Sequence, residues 1–277
     1  MLNSFFIEDH VKKALEEDIG FGDITTDNLT KDGDTLTCEL NTRSDGVFCG
    51  RDVFELVFKI LADDAVKIKF YFKDGDLIKK GDKIADISGP ANHILTGERT
   101  ALNYIQRMSG IATETRKFQD AVAPYHAHVV DTRKTTPNFR AFEKYSVKTG
   151  GGYLHRFSLC DCAMIKDNHI RFAGSITKAV SILRENISHA HKIEVERDTL
   201  DQVKEAIECK ADIIMLDNMG IEDMKTAVAM IDKRAIVEAS GNVSLSSINE
   251  IASTGVDIIS SSAIVAKAPT LDIALDM

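Results

Sequence analysis

The chain has 277 residues, with 43 Asp and Glu against 34 Lys and Arg and a formal net charge of −9, so nucleic acid is a poor partner and any basic patch has to be local. At 44% apolar and 28% charged, the composition is that of a folded globular protein with room for one large domain or two smaller ones. No run free of Asp, Glu, Lys and Arg exceeds 11 residues, far short of the roughly 20 apolar residues of a spanning helix, and the first 20 residues lack the apolar run of an export signal; a cytoplasmic protein away from membranes is expected.

Ile7, Val11, Ala14 and Leu15 recur at i, i+4, i+7 and i+8 ahead of Gly20, which predicts an opening helix with a glycine stop. Val53, Phe54, Leu56, Val57, Ile60 and Leu61 form the apolar stripe of a second helix that ends at Asp63-Asp64. Strict alternation over Val66–Phe70 predicts a strand, followed by turns at Asp74-Gly75 and Lys80-Gly81-Asp82 and another strand at Ile84–Ile87. Residues up to about 90 thus read as a small α+β domain. The stretch DGDLIKKGDKIADISG is similar in fold to the half-barrel repeat of biotinyl and lipoyl carrier domains, but it has no modifiable lysine motif. Leu102, Ile105, Met108, Ala112, Thr115 and Phe118 then keep helical spacing from Ile94 to Phe118, without an internal proline, as one long linking helix.

Beyond it, short apolar runs alternate with amphipathic segments: HVVDTRK, AMIKDN, KIEVE, DIIMLDN, AIVEAS and DIISSS. This is the rhythm of a parallel βα sheet. The runs end near Asp131, Lys166, Glu196, Asp217, Glu238 and Ser260, the last four separated by 21, 21 and 22 residues. About 165 residues remain after the linking helix, where a full eight-stranded barrel takes about 250, so an open or shortened (β/α) barrel is expected, with its site at the carboxyl ends of the strands. Five cysteines, Cys38, Cys49, Cys160, Cys162 and Cys209, are expected as reduced thiols. Cys160 and Cys162 lack a second pair to complete a zinc site and read as small buried residues.

Arg133, Lys134, His155, Arg156 and Lys166 cluster around the first strand ends, a cationic patch in an acidic chain. Charges that follow buried strands are expensive without a partner, so the patch implies a polyanionic small ligand, a dicarboxylate or a phosphate. Glu196 and Asp217 each close an apolar run; they suit Mg²⁺ held through water or ribose hydroxyls, or else salt bridges to Lys166 or Lys192. Gly150-Gly151-Gly152 is either a turn of free main-chain N–H groups facing an anion or simply a flexible link. Ser240-Gly241-Asn242 and Ser260-Ser261-Ser262 have the small, donor-rich character of a phosphate loop before a helix N-terminus.

The segments ERTALNYIQRMSGIAT (98–113), DTRKTTPNFRAFEKYSVKTGGGYLHR (131–156), IKDNHI (165–170), IEVE (193–196), MLDNM (215–219) and EASGN (238–242), with LEEDIGFGDITT (15–26), closely resemble the quinolinate phosphoribosyltransferase family almost from end to end. The resemblance implies an N-terminal α+β sandwich over residues 1–110 and a C-terminal α/β barrel over 111–277, whose last residues pack back on the first domain. It implies a homodimer or a multiple of dimers in which one subunit helps close the other's site. The implied substrates are quinolinate and 5-phosphoribosyl-1-pyrophosphate with Mg²⁺, and the products are nicotinate mononucleotide, pyrophosphate and CO₂, a step of NAD biosynthesis.

By the same resemblance Arg133, Lys134, His155, Arg156 and Lys166 bind the two carboxylates and nearby phosphate oxygens, Arg99 enters from the partner subunit, and Ser240, Gly241 and Ser262 serve the phosphate. Lys166, Glu196 and Asp217 are the catalytic set, with Glu196 and Asp217 at the metal. The chain departs from the family near its end, where Ser262-Ala263-Ile264-Val265-Ala266-Lys267 stands in place of Gly-Ala-Leu-Thr-His-Ser. Lys267 is a candidate for the lost cationic contact. The alternative is a paralogue, non-catalytic or of different specificity, that binds a phosphorylated or dicarboxylate small molecule.

Overall fold

The computed structural model describes residues 4–277; residues 1–3 of the expected first domain lie outside the described residues. In chain order its elements are α1 (Ser4–Ile19), α2 (Ile24–Leu29), β1 (Thr35–Thr42), β2 (Gly46–Val47), α3 (Arg51–Ala62), β3 (Lys67–Phe70), β4 (Leu77–Ile78), β5 (Lys83–Pro90), α4 (Ala91–Val122), β6 (His128–Val130) and α5 (Arg140–Thr149). They continue as β7 (Ala163–Ile165), α6 (Asp167–Ala173), α7 (Ile176–Asn186), β8 (Ile193–Arg197), α8 (Leu200–Glu208), β9 (Ile213–Asp217), α9 (Ile221–Ile231), β10 (Ile236–Ser240), α10 (Ile248–Ala252), β11 (Ile258–Ser260), α11 (Ala263–Ala266) and β12 (Ile273–Asp276).

The chain divides into two compact units. The first comprises residues 1–116, 137–151 and 268–277, and the second residues 117–136 and 152–267. A cut at 110/111 would fall inside α4, and the chain enters the first unit three times.

The first unit is built on an antiparallel sheet in the order β12-β1-β5-β3, with a two-stranded ribbon β2-β4. Thr35–Thr42 alternates buried and exposed side chains, so Cys38, Leu40 and Thr42 face the core. β12 joins from the far end of the chain, with Glu39 opposite Asp276 and Thr42 opposite Ile273. It is drawn in by hydrogen bonds to α4: Leu271 N donates to Gln106 O (2.9 Å), and the side chains of Gln106, through Nε2, and Arg107, through Nη1, donate to the carbonyls of Ile273 (2.7 Å) and Ala268 (2.8 Å).

The opening helix buries the predicted Ile7, Val11 and Leu15. α3 buries Val53, Phe54, Val57 and Phe58 and takes its N-terminal cap from afar, where the Asp74 carboxylate accepts from Gly50 N and Arg51 N. Asp23 caps α2 by accepting from Thr26 N at 3.0 Å. Burying these apolar side chains stabilises the unit by about 1.5–3 kcal/mol each before chain entropy is counted.

The second unit is the parallel sheet that the six runs predict. Its strand order is β6-β11-β10-β9-β8-β7, so β6 and β7, successive in the chain, stand at opposite ends of the row and the barrel is open. Residues facing each other across a parallel ladder point to the same side. The registers place Val195, Ile214, Val237 and Ile259 on one side, all buried, and Glu196, Met215 and Glu238 on the other. The inner face therefore carries glutamates among apolar residues such as Ile213, Met215 and Ile258. No helix among the described residues is long and apolar enough to cross a membrane.

Candidate active site

Each strand of the second unit ends where its apolar run gives way to polar residues, so the carboxyl ends of β6 to β11 gather the predicted candidates. Lys166 follows β7 and Glu196 is the last residue but one of β8; the Lys166 Nζ and the Glu196 carboxylate form an ion pair. The salt bridge weighed as the alternative for Glu196 is thus formed, and it joins two candidates at adjacent strand ends. The Lys166 main-chain N–H donates to His169 Nδ1 at 3.0 Å, which seats the lysine at the start of α6.

Asp217 ends β9 two residues beyond Met215, which faces Glu196, and so projects from the same side of the sheet. It accepts from Asn218 Nδ2 at 3.0 Å, and Asn218 Oδ1 in turn accepts from Asn242 Nδ2 at 3.0 Å. Asn218 N donates to Ser240 O at 2.9 Å. Gly241 completes this corner: it has φ +98°, and a Cβ there would lie 2.3 Å from Asn218 Oδ1. Asn218 is a part of the site not singled out from sequence, although it lies within a quoted motif.

Arg156 is half-buried, with Nη1 donating to Cys162 O (3.0 Å) and Nη2 3.3 Å from Met164 Sδ. The guanidinium is therefore held at β7 rather than swinging in solvent. Arg133 is half-buried and its buried Nε has no hydrogen-bond partner, while Lys134 is exposed. His155 lies deepest. Its Nε2 is 3.4 Å from Glu194 Oε2 and 3.5 Å from Glu238 Oε2, its Nδ1 accepts from Arg156 N at 2.8 Å, and its own N–H donates to Asp131 Oδ1 at 2.8 Å.

Burial opposes a charge on the His155 ring, but hydrogen bonds to Glu194 and Glu238, with their charges, outweigh it and push the ring up to about 10. Taking the second proton at Nδ1 means releasing the Arg156 amide. Burial, more than the charge of Glu238 beside it, pushes Glu194 above the usual carboxylate range. Among the described residues His155, Glu194 and Glu238 are the group whose metal-type donor atoms all lie within 4.8 Å of one another. Their contacts are those of an imidazole set between two carboxylates. Glu194 was not foreseen as a site residue, and Glu238 only as a strand end; a glutamate inside an apolar strand run was the available signal.

The structure corrects the burial expected of Cys160 and the helix expected directly after Asn242, decides between the two readings of the glycine run, and places the remaining candidates. Gly150 and Gly151 do not face an anion: their N–H groups donate to Ser146 O and Lys148 O to finish α5, and Gly150 is needed because a Cβ would lie 2.4 Å from Ala112 O. Asn242 is not followed directly by a helix, since α10 starts at Ile248 after a turn through Ser244–Ser247. Ser262 sits at the N-cap of the four-residue α11 without a side-chain cap bond; Ser261, buried, instead donates to Val243 O and accepts from Ala263 N. Lys267 is exposed at the opposite end of α11. Cys160 is exposed rather than buried; all five cysteines are free thiols, and burial pushes Cys162 up to about 11, which makes it a poor nucleophile. Arg99 lies on α4 in the first unit and is exposed.

An open α/β barrel whose strand ends bring a lysine and two carboxylates to one side of the sheet, with two arginines on the segments that follow β6 and precede β7, defines an enzyme of the anion-handling barrel class. Residues 23–109 match the model of the quinolinate phosphoribosyl transferase N-terminal domain, and residues 111–276 that of its C-terminal domain. The chain belongs to the quinolinate phosphoribosyltransferase family. It is 42% identical over 274 residues to a Synechocystis protein described as a "probable nicotinate-nucleotide pyrophosphorylase (carboxylating)", covering 98% of this chain and 92% of that one. It is 40% identical over 277 residues to a Bacillus subtilis protein of the same description, covering 100% and 92%. The solved nicotinate-nucleotide pyrophosphorylase of Francisella tularensis superposes with a TM-score of 0.95 at 39% identity, covering 100% of this chain and 97% of that one.

Proposed function

We propose that the chain transfers the phosphoribosyl group of 5-phosphoribosyl-1-pyrophosphate to the ring nitrogen of quinolinate and releases CO₂, giving nicotinate mononucleotide and pyrophosphate for NAD biosynthesis. The observation that supports this best is the joining of Lys166 to Glu196 at adjacent strand ends, with Asp217 on the same face and Arg156 held beside β7. A diacid needs forked cations, and a ribosyl centre that loses an anion needs carboxylates; the second unit carries both kinds of group.

The chemistry follows from those groups. Arg133, Arg156 and Lys134 grip the carboxylates of quinolinate, and His155 anchors that wall. As the ribose C1–O bond breaks, pyrophosphate leaves with the electron pair, and the positive charge that develops at C1 is stabilised by Glu196 and Asp217 until the pyridine nitrogen attacks. In the pyridinium so formed, the bond from ring C2 to its carboxylate breaks, CO₂ departs, and the pair left beside the ring nitrogen is stabilised by the Lys166 ammonium and then takes a proton.

The hard oxygen donors Glu196 and Asp217 suit Mg²⁺ held through its water shell, and bound with the pyrophosphate it would neutralise the leaving charge. Ser240, Gly241 and Ser262 serve the ribose phosphate. Arg99 is assigned to the neighbouring site of a homodimer, in agreement with its exposed place on α4. A cytoplasmic location belongs to this reading. The test is incubation with quinolinate, the phosphoribosyl donor and Mg²⁺: nicotinate mononucleotide and CO₂ in equal amounts are expected. Binding without product would replace the reading with a non-catalytic paralogue, and no binding with another chemistry.

A further inference from the structure

The transfer as written uses neither Glu194 nor Glu238, yet both are fully withdrawn from water, with side chains 0% and 2% exposed. Burying a carboxylate costs several kcal/mol unless partners compensate. Here compensation is partial, because both oxygens of Glu194 and Oε1 of Glu238 are buried without hydrogen-bond partners, and the ion-pair contacts to His155 are what face them. What both carboxylates share is His155 Nε2, at 3.4 and 3.5 Å.

His155 stands on the segment that fills the open edge of the barrel, where Tyr153 N donates to Val129 O at 2.8 Å and Tyr153 bridges to Val130 of β6. From that edge the imidazole reaches across the inner face to β8 and β10. Its main-chain N–H is fixed by Asp131 after β6, and its Nδ1 receives the N–H of Arg156. Two strand positions, Glu194 and Glu238, therefore converge on the ring, Asp131 holds its main chain, and the next residue along that pinned backbone is Arg156.

Resting on the proposed function, we propose that Glu194 and Glu238 are positioning residues for quinolinate binding: they pin the His155 imidazole across the open barrel and, through it, set the Arg156 guanidinium in place. Neither touches substrate; each acts through His155.

The test compares Glu238→Gln, which keeps an acceptor oxygen, with Glu238→Met, which keeps the length and removes it. Glu238→Gln is expected to stay close to the unsubstituted chain, while Glu238→Met raises the KM for quinolinate about tenfold, the equivalent of about 1.4 kcal/mol of binding, with kcat and the KM for the phosphoribosyl donor unaltered. Because Glu238 acts through His155, adding Glu238→Met to His155→Ala changes nothing further. Should Glu238→Met fail to fold, Glu194→Met carries the same expectation. An unaltered quinolinate KM in the Met variant, or effects of Glu238→Met and His155→Ala that simply add, overturns the proposal. The unsubstituted chain assayed alongside separates the two levels: if it forms no nicotinate mononucleotide, the functional reading itself falls.

Discussion

Arg197 Nη2 lies 3.1 Å from Asp167 Oδ1, one residue along each strand end from the Lys166–Glu196 pair. Glu196 and Arg197 are successive residues of β8 and point to opposite faces of the sheet, so two ion pairs of opposite orientation tie the end of β8 to the start of α6. The Arg197 side chain is 1% exposed and its Nε has no partner, whereas Asp167 is 68% exposed. The buried cation depends on the exposed anion. Asp167→Ala is therefore expected to destabilise the protein by about 1–3 kcal/mol by leaving a buried donor unsatisfied, and Arg197→Met in the same chain to restore most of it. Urea unfolding of the single and double variants measures this.

Lys166→Ala removes the ammonium beside the pair left by CO₂ and also frees Glu196. A loss in kcat on the order of 10²-fold is expected, comparable to deleting one electrostatic donor from an active site. Normal turnover by this variant would remove Lys166 from the chemistry.

Arg133 has a buried Nε without a partner, as befits a guanidinium that a ligand completes. Arg133→Ala is expected to weaken quinolinate binding by about 2–4 kcal/mol, read by titration calorimetry without the phosphoribosyl donor.

Gly241 cannot accept a side chain: its φ is +98° and a Cβ would meet the Asn218 amide. Gly241→Ala should cost about 1–3 kcal/mol of stability through strain and, by displacing Asn218 from Asp217, raise the KM for the phosphoribosyl donor. Thermal unfolding and initial rates check the two effects separately.

The His155 ring, raised to about 10, binds its proton more tightly in the folded chain than in the unfolded one. Its contribution to stability is fully present below the ordinary histidine value of about 6.5 and is lost as the pH rises through the folded value. Unfolding free energies measured from pH 6 to 10 should fall over that window, and with a smaller slope in Glu238→Gln.

The six parallel strands were legible because each is a short apolar run ending in charge, the pattern of a strand buried on one side and open at its tip. The long helix was legible from its spacing. α2 and α5 escaped notice because their stripes are short and mixed; α5 even buries Glu143 and Lys144, which Arg107 meets from α4 at 3.0 Å in the case of Glu143. The two-residue strands β2 and β4 have too few residues to show any period.

The amino-acid sequence by itself determined the parallel barrel, the place of Lys166, Glu196 and Asp217 at strand ends, and the family, because local periodicity and strand termini are written in neighbouring residues. Only the tertiary structure decided which charges answer which. It sent the glycines of 150–151 to finish a helix, paired Lys166 with Glu196 across 30 residues, set His155 between two buried glutamates from separate strands, and brought β12 beside β1. Such pairings depend on distances through space between segments far apart in the chain, and no spacing within a single segment encodes them.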